Sequence, residues 1–305
     1  MGDILLTGAG GQLGRAILAL ATDRGTRVRG LTRRSLDITD RSAVLEAVRT
    51  LRPSAVVNAA AYTAVDRAES DRETAFAVNR DGASHFADAC STADIPLIHI
   101  SSDYVFDGTK PIPYTENDPP APISIYGESK LAGEEAVRGR CRHHIILRTS
   151  WLYSTHGHNF LRTILRLANE QDRLRVVADQ FGCPTAAGDL AGAVLTISAR
   201  LLEMPHDERL HGTFHSAGAG VTSWHGFAAR IVALGLPADV RKPAVDEIAT
   251  ADYPRPARRP ANSALDCGRL TRAYGITLRH WEVALRETLH AGVDEAAVAP
   301  EARRQ

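Results

Sequence analysis

Tyr126 and Lys130 lie four apart in Tyr126-Gly127-Glu128-Ser129-Lys130, a spacing that puts both on one face of a helix. An ammonium beside a phenol favours the phenolate and lowers the phenol pKa toward the working pH. Such a tyrosine can exchange a proton with a carbonyl or alcohol oxygen while a nicotinamide exchanges a hydride. Ser102 stands 24 residues upstream of Tyr126, after an apolar run, and its hydroxyl would hold the same oxygen. The Tyr/Lys spacing alone arises often by chance. The serine at a strand end, joined to a glycine turn near the first residues, makes the set specific.

That turn is Thr7-Gly8-Ala9-Gly10-Gly11-Gln12-Leu13-Gly14. Gly8 permits a tight exit from a strand, Gly11 lets a pyrophosphate approach the backbone, and Gly14 lets the following helix pack on the sheet. The helix N-terminus then offers unpaired N–H groups and the positive end of its dipole to phosphates. The dinucleotide is expected to be NADPH, with NADH as the alternative. An acidic residue is common at the end of strand two in NAD sites, whereas this chain has Thr32-Arg33-Arg34. A guanidinium pair there suits a 2′-phosphate; the competing reading has both arginines in solvent. Asp37 is either a partner for the adenine amino group or a turn residue before a helix.

These residues need a scaffold, and the pattern supplies one. Residues 3–7, 28–31, 54–58, 96–100 and 145–147 read as strands. They alternate with helical periodicity over 12–21, 41–51, 74–93 and 125–137. Alternation of this kind predicts an α/β fold, a Rossmann-type doubly wound parallel sheet, with ligands at the carboxyl ends of the strands. Beyond it the pattern is less regular: a helix over 159–169, a strand over 174–178, a helix over 189–202, a Pro- and Arg-rich loop over 252–261 and a last helix over 280–290. The expected division is a dinucleotide-binding domain from 1–152, with roughly 174–215 returning to it, and a smaller α/β substrate-binding domain from roughly 153–173 and 216–292. Residues 293–305 are expected to form a disordered tail.

Composition removes other classes. The 36 basic and 36 acidic residues balance, which argues against a dedicated nucleic-acid surface. No run approaches the length needed to span a bilayer, and no secretory signal or myristoylation pattern is visible. The four cysteines are far apart, form no zinc-type spacing, and read as reduced thiols of a cytoplasmic protein.

Longer strings carry a resemblance. They are Val57-Asn58-Ala59-Ala60-Ala61-Tyr62-Thr63-Ala64-Val65-Asp66 with Ala68-Glu69, Ser102-Asp103-Tyr104-Val105-Phe106-Asp107-Gly108, Arg148-Thr149-Ser150-Trp151-Leu152-Tyr153, Asp179-Gln180-Phe181-Gly182-Cys183-Pro184-Thr185 and Arg259-Pro260-Ala261-Asn262-Ser263. Together with the glycine turn and the Tyr/Lys pair they resemble the extended short-chain dehydrogenase/reductases and, within them, the dTDP-4-dehydrorhamnose reductase family.

The resemblance implies reduction of the 4-keto group of a dTDP-sugar, with Tyr126 donating the proton and Lys130 binding the nicotinamide ribose. It implies that Ser102 and Asp103 touch the sugar and that Trp151 lies against sugar or nucleotide, although a buried tryptophan is the plainer reading. It places Gln12, Leu13, Asp37, Ile38, Ala61, Tyr62 and Thr63 along the cofactor. Arg259 either binds the diphosphate or caps a helix; Tyr104 and Phe106 read as packing residues. Some family members bridge a dimer with magnesium through a glutamate in the first helix, where this chain has Arg15-Ala16. A metal-bridged dimer is therefore not expected, no metal ligand is assigned, and a magnesium requirement and a homodimer stay open. A sugar-nucleotide dehydratase would want Glu after Asp103, and Tyr104 stands there. An epimerase that keeps its NAD, and a non-catalytic regulatory subunit with this fold, remain as alternatives.

Overall fold

The computed structural model describes residues 3–205 and 207–292; the expected disordered tail lies outside the described residues. The chain runs β1 (Ile4–Thr7), α1 (Gln12–Asp23), β2 (Val28–Leu31), α2 (Arg41–Leu51), β3 (Ala55–Asn58), α3 (Val65–Ala68), α4 (Arg72–Phe76), α5 (Gly82–Ala93), β4 (Leu97–Ser102), α6 (Ile125–Arg140) and β5 (His144–Thr149). It continues through β6 (Leu152–Tyr153), α7 (Phe160–Glu170), β7 (Arg173–Val177), β8 (Phe181–Gly182), β9 (Thr185–Ala186), α8 (Ala187–Glu203) and β10 (Gly212–His215). It ends with β11 (Thr222–Ser223), α9 (Trp224–Gly235), β12 (Ala244–Ile248), α10 (Gly268–Tyr274) and α11 (Trp281–His290).

Six strands form one parallel sheet in the order β10-β5-β4-β3-β1-β2. The order reverses between β1 and β3, the kind of switch point where a doubly wound sheet opens a crevice at its carboxyl edge. β1 and β3 are buried along their whole length because helices cover both faces. Strand period decides the sides. Ile4 and Leu6 face α1 and α8, packing with Ile17, Leu190 and Val194. Leu5 points the other way, into Val44, Phe86 and Val137 of α2, α5 and α6.

The helix expected over 74–93 is present in three pieces. Between α4 and α5, residues Ala77–Asp81 make a π turn. The turn places Asn79 inside, where its amide accepts from the Tyr62 N–H at 2.9 Å and donates to the Tyr62 carbonyl at 3.0 Å and to Ser129 Oγ at 2.9 Å. Single π turns inserted in α-helices are found frequently at functional sites.

A second core gathers Tyr153, Leu161, Leu165, Leu174, Phe227, Ile231 and Trp281 from β6, α7, β7, α9 and α11. Three two-stranded ladders, separate from the main sheet, accompany it: β6 pairs with β9 in parallel, β8 with β11 antiparallel, and β7 with β12 in parallel. No helix among the described residues is long and apolar enough to cross a membrane.

Candidate active site

A cleft of about 830 Å³ opens at the carboxyl edge of the sheet. Most of its lining comes from the segments after β1, β2, β3, β4 and β5, the carboxyl strand ends where the alternation predicts a ligand. Below it a buried polar row ties three strands together. Thr7 Oγ1 donates to Asn58 Oδ1 at 2.8 Å, and Asn58 Nδ2 lies 3.2 Å from His99 Nδ1. Because Asn58 spends its oxygen on Thr7, its amide must donate, so the His99 proton sits on Nε2. Burial holds the His99 pKa well below its ordinary value, and the imidazole is neutral.

The glycine turn has the shape a dinucleotide needs. Gly8 has φ +70°, and a Cβ there would run into the Ala59 carbonyl. A Cβ on Gly14 would collide with the Gly8 carbonyl oxygen, so α1 can seat on the turn only with glycine at that point. α1 begins without a side-chain cap and without an acidic residue in its first turn. Its orphan N–H groups and positive dipole end are therefore uncontested at the cleft. Gln12, Leu13, Arg33, Asp37, Ile38, Ala61, Tyr62 and Thr63 all line the cleft with Gly8, Gly11 and Gly14. Gln12 Oε1 also accepts from Ser154 Oγ at 3.0 Å and Asn159 Nδ2 at 2.9 Å, tying the turn to the loop before α7.

Of the two arginines after β2, Arg33 lines the cleft and Arg34 is not among the lining residues. Arg33 Nε lies 3.9 Å from Asp37 Oδ2. Asp37 Oδ1 accepts from the Thr39 N–H at 3.0 Å and from Thr39 Oγ1 at 2.8 Å, bonds that hold its carboxyl below the usual carboxylate range. Asp37 is thus a turn residue in its bonding, while still bordering the cleft.

Ser102, Asp103, Tyr126 and Lys130 come together at the end of β4 and the start of α6, all buried. α6 starts at Ser124, whose hydroxyl accepts from the Gly127 N–H at 3.2 Å. That cap turns Tyr126 and Lys130 inward one helical turn apart. Ser102 Oγ donates to Asp103 Oδ1 at 3.0 Å, accepts from the Tyr104 N–H at 3.2 Å and hydrogen-bonds the Tyr126 phenol. Lys130 Nζ donates to the Ile100 carbonyl at 2.7 Å.

The phenol does not follow the expectation of a lowered pKa. Burial pushes Tyr126 up to about 12, the Ser102 hydrogen bond opposes that rise, and the Asp103 charge adds to it. Lys130 meanwhile directs its ammonium at a backbone carbonyl, and burial pulls it down to about 8, with Glu134 one turn on opposing the fall. Burial and the Asp103 charge outweigh the Ser102 hydrogen bond, so Tyr126 stands as a neutral acid at working pH.

Asp103 accepts from Ser150 Oγ at 3.1 Å and hydrogen-bonds Ser263 as well as Ser102. Burial raises its carboxyl to about 6 against the pull of those three hydroxyls. Trp151 lines the cleft, half-buried, with φ +46°. For a bulky residue that left-handed conformation costs roughly 1–3 kcal/mol and must be imposed by its surroundings. Arg259 is not among the cleft-lining residues. Its guanidinium takes Asp66 through both carboxylate oxygens, at 2.7 and 2.9 Å.

Several lining residues gave no sign in the sequence. Trp224 stacks on Trp151, and the Thr149 hydroxyl is buried at the cleft without a hydrogen-bond partner. Tyr104, read from the sequence as a packing residue, also borders the cleft, its ring edge-on to Tyr126 at 5.5 Å. Among the described residues no group of three or more His, Cys, Asp or Glu could hold a metal ion.

Residues 2–293 match the RmlD substrate binding domain family. The chain is 46% identical over 288 residues to a dTDP-4-dehydrorhamnose reductase of Sinorhizobium fredii, covering 94% of this chain and 97% of that protein. It is 38% identical over 296 residues to the dTDP-4-dehydrorhamnose reductase of Escherichia coli, covering 94% and 97%. Among solved structures it is similar to the dTDP-4-dehydrorhamnose reductase of Bacillus anthracis in complex with NADP, with a TM-score of 0.86 and 35% identity over 95% of this chain and 99% of that one. A UDP-glucose 4-epimerase of Thermus thermophilus, 22% identical with a TM-score of 0.75, shares the fold and covers 94% and 98%.

Proposed function

The chain belongs to the RmlD substrate binding domain family, and we propose that it reduces the 4-keto group of dTDP-4-dehydro-L-rhamnose to give dTDP-L-rhamnose, using NADPH. The observation that carries this reading is the buried Ser102–Tyr126 contact beside Lys130, facing a glycine turn whose helix N-terminus is free for a diphosphate. The relatives in Sinorhizobium and Escherichia bear the name of that reductase, and the Bacillus structure holds NADP.

Gly8, Gly11, Gly14 and the first N–H groups of α1 would hold the pyrophosphate, and Arg33 would reach a 2′-phosphate. The bound cofactor supplies the hydride. The remaining chemistry belongs to the chain. The second core, with Trp151 at its edge, forms the sugar-nucleotide side of the cleft. Tyr126, neutral because burial holds its pKa at about 12, donates its proton to the C4 oxygen. The Ser102 hydroxyl orients that oxygen and then hydrogen-bonds the phenolate that remains. The Lys130 ammonium steadies the same negative charge. Asp103, fixed by Ser102, Ser150 and Ser263, presents a carboxylate edge to the sugar hydroxyls. Tyr104 occupies the place where a dehydratase would carry a second acid.

The test presents dTDP-4-dehydro-L-rhamnose to purified protein and follows NADPH and NADH oxidation in parallel. Stoichiometric NADPH oxidation with formation of dTDP-L-rhamnose is expected. Turnover without added cofactor, on protein purified with tightly bound NAD, would instead mark an epimerase. Absence of oxidation with either nucleotide would favour a regulatory role.

A further inference from the structure

Trp224 is the first residue of α9, and its indole lies flat on that of Trp151, with ring centroids 3.5 Å apart and planes 6° from parallel. Both rings line the cleft. Three separate features hold the pair. The Ser223 hydroxyl caps α9 by accepting from the Gly226 N–H at 3.0 Å, which fixes where Trp224 leaves the backbone. The β8–β11 ladder sets Thr222 opposite Gly182 and Ser223 opposite Phe181. Gly182 in turn lies so close to Trp151 that a Cβ there would enter the indole. One short ladder therefore registers both tryptophans against each other. Behind Trp224, Phe160 packs at 4.5 Å and continues into the second core through Phe227.

The stack also accounts for the backbone of Trp151. Its φ of +46° is held between the Thr185 N–H, which donates to the Trp151 carbonyl at 3.2 Å, and the ring contact with Trp224. A strained residue at a cleft wall is retained where the surrounding structure fixes it for use.

We propose that Trp224 is a positioning residue for the sugar-nucleotide: it locks Trp151 into one orientation and completes a rigid two-indole wall on the substrate side of the cleft. The inference rests on the reductase reading. The wall is built on the second core, packing through Phe160 onto Phe227 and not onto the glycine turn, so its loss should weaken the ketosugar and leave the dinucleotide unaffected. Rigid aromatic walls recognise ligands with little loss of side-chain freedom.

The test compares wild-type protein with Trp224→Leu, Trp224→Phe and, from the opposite side, Gly182→Ala. Expected results are a rise of about tenfold in KM for dTDP-4-dehydro-L-rhamnose in Trp224→Leu and Gly182→Ala, an unchanged Kd for NADPH, and partial recovery in Trp224→Phe. Near-UV circular dichroism should lose the coupled signal of the two indoles in Trp224→Leu. If that signal disappears while KM changes less than twofold, the positioning role is wrong. If the NADPH Kd rises in step with KM, the residue is merely structural and the inference also fails. A wild-type protein that does not oxidise NADPH with the ketosugar would bring down the reductase reading and this inference together; an active wild type with an indifferent Trp224→Leu would bring down this inference alone.

Discussion

Arg259 grips Asp66 through two hydrogen bonds of 2.7 and 2.9 Å across 193 residues of chain. Arg255 adds a second guanidinium, 3.7 Å from the same carboxylate. Arg259 also hydrogen-bonds Tyr104, whose ring rests edge-on against Tyr126. A surface anchor is thereby linked, through one aromatic side chain, to the phenol at the centre of the site.

That linkage gives the first prediction. Asp66→Ala leaves a partly buried guanidinium without its fork partner and should cost about 2 kcal/mol of folding stability. Arg259→Ala should cost a similar amount, and the double variant less than the sum, because the pair is already broken. Urea unfolding of the four proteins measures the cycle. A coupling energy near zero would mean that the bidentate contact contributes nothing.

Removing the phenol hydroxyl tests the proton donor. Tyr126→Phe should lower kcat by about 10²–10⁴ and leave the NADPH Kd where it is. Ser102→Ala removes one hydrogen bond to the reacting oxygen and should cost roughly 10² in kcat. Stopped-flow NADPH oxidation and equilibrium titration separate the two effects. Equal losses in nucleotide affinity would point to collapse of the cleft instead.

The expected preference for NADPH turns on Arg33 in the proposed reading. It lines the cleft beside Asp37, whereas Arg34 is not among the lining residues. Arg33→Ala should raise KM for NADPH about tenfold, as expected for loss of a charge-assisted contact to phosphate, and leave NADH unchanged. Arg34→Ala should shift neither. A preference that survives Arg33→Ala would assign the 2′-phosphate to other groups.

The order of elements was open to reading because each has its own period: strands apolar throughout where helices cover both faces, helices apolar on one stripe. The candidate catalytic set was legible because Tyr126 and Lys130 are local in sequence and share a helix face. What escaped depends on contacts between distant strings. Asp103, Ser150 and Ser263 come from three of the strings that carry the resemblance, and they converge on one carboxyl. Arg259 finds Asp66 in the same way. Trp224 follows an ordinary Ser cap and has no local mark; only the β8–β11 register brings it to Trp151. The rise in the Tyr126 pKa was equally hidden, since sequence spacing reveals a cation one helical turn away and not the burial that pushes the phenol up.

Asp103 predicts a conflict between stability and use. Its folded pKa is raised from 3.8 to about 6, so between those values the folded state binds the proton more tightly than the unfolded chain does. Stability from this group is greatest below about pH 4 and falls as pH rises toward 6. The cost at neutral pH is about 3 kcal/mol at 1.36 kcal/mol per pKa unit. Asp103→Asn should remove that slope, raise the unfolding free energy at pH 7 and impair ketosugar turnover. Urea unfolding at pH 4.5 and pH 7 checks it: a variant no more stable than wild type at pH 7 would show that the three serine hydroxyls already offset the burial.

Lys130 carries the opposite signs and separates activity from stability along the pH axis. Burial lowers its pKa from 10.5 to about 8, with the Glu134 carboxylate opposing the fall. The cation proposed to steady the Tyr126 phenolate is therefore lost as pH rises through about 8, and kcat/KM should decline on that limb. Over the same range, from about 8 to 10.5, the unfolded chain keeps a proton that the folded state has shed, so this group's contribution to stability rises with pH. Activity falls while this contribution grows. Lys130→Met should abolish both trends, leaving a low rate without the alkaline limb and without this rise in stability. Glu134→Gln removes the carboxylate that supports the ammonium and should move the limb below pH 8. Because Glu134 also pairs with Arg148 at 2.7 Å in the core, that variant is read only at temperatures where circular dichroism shows it folded. An alkaline limb unmoved by Glu134→Gln, or still present in Lys130→Met, would assign the titration to a group other than Lys130.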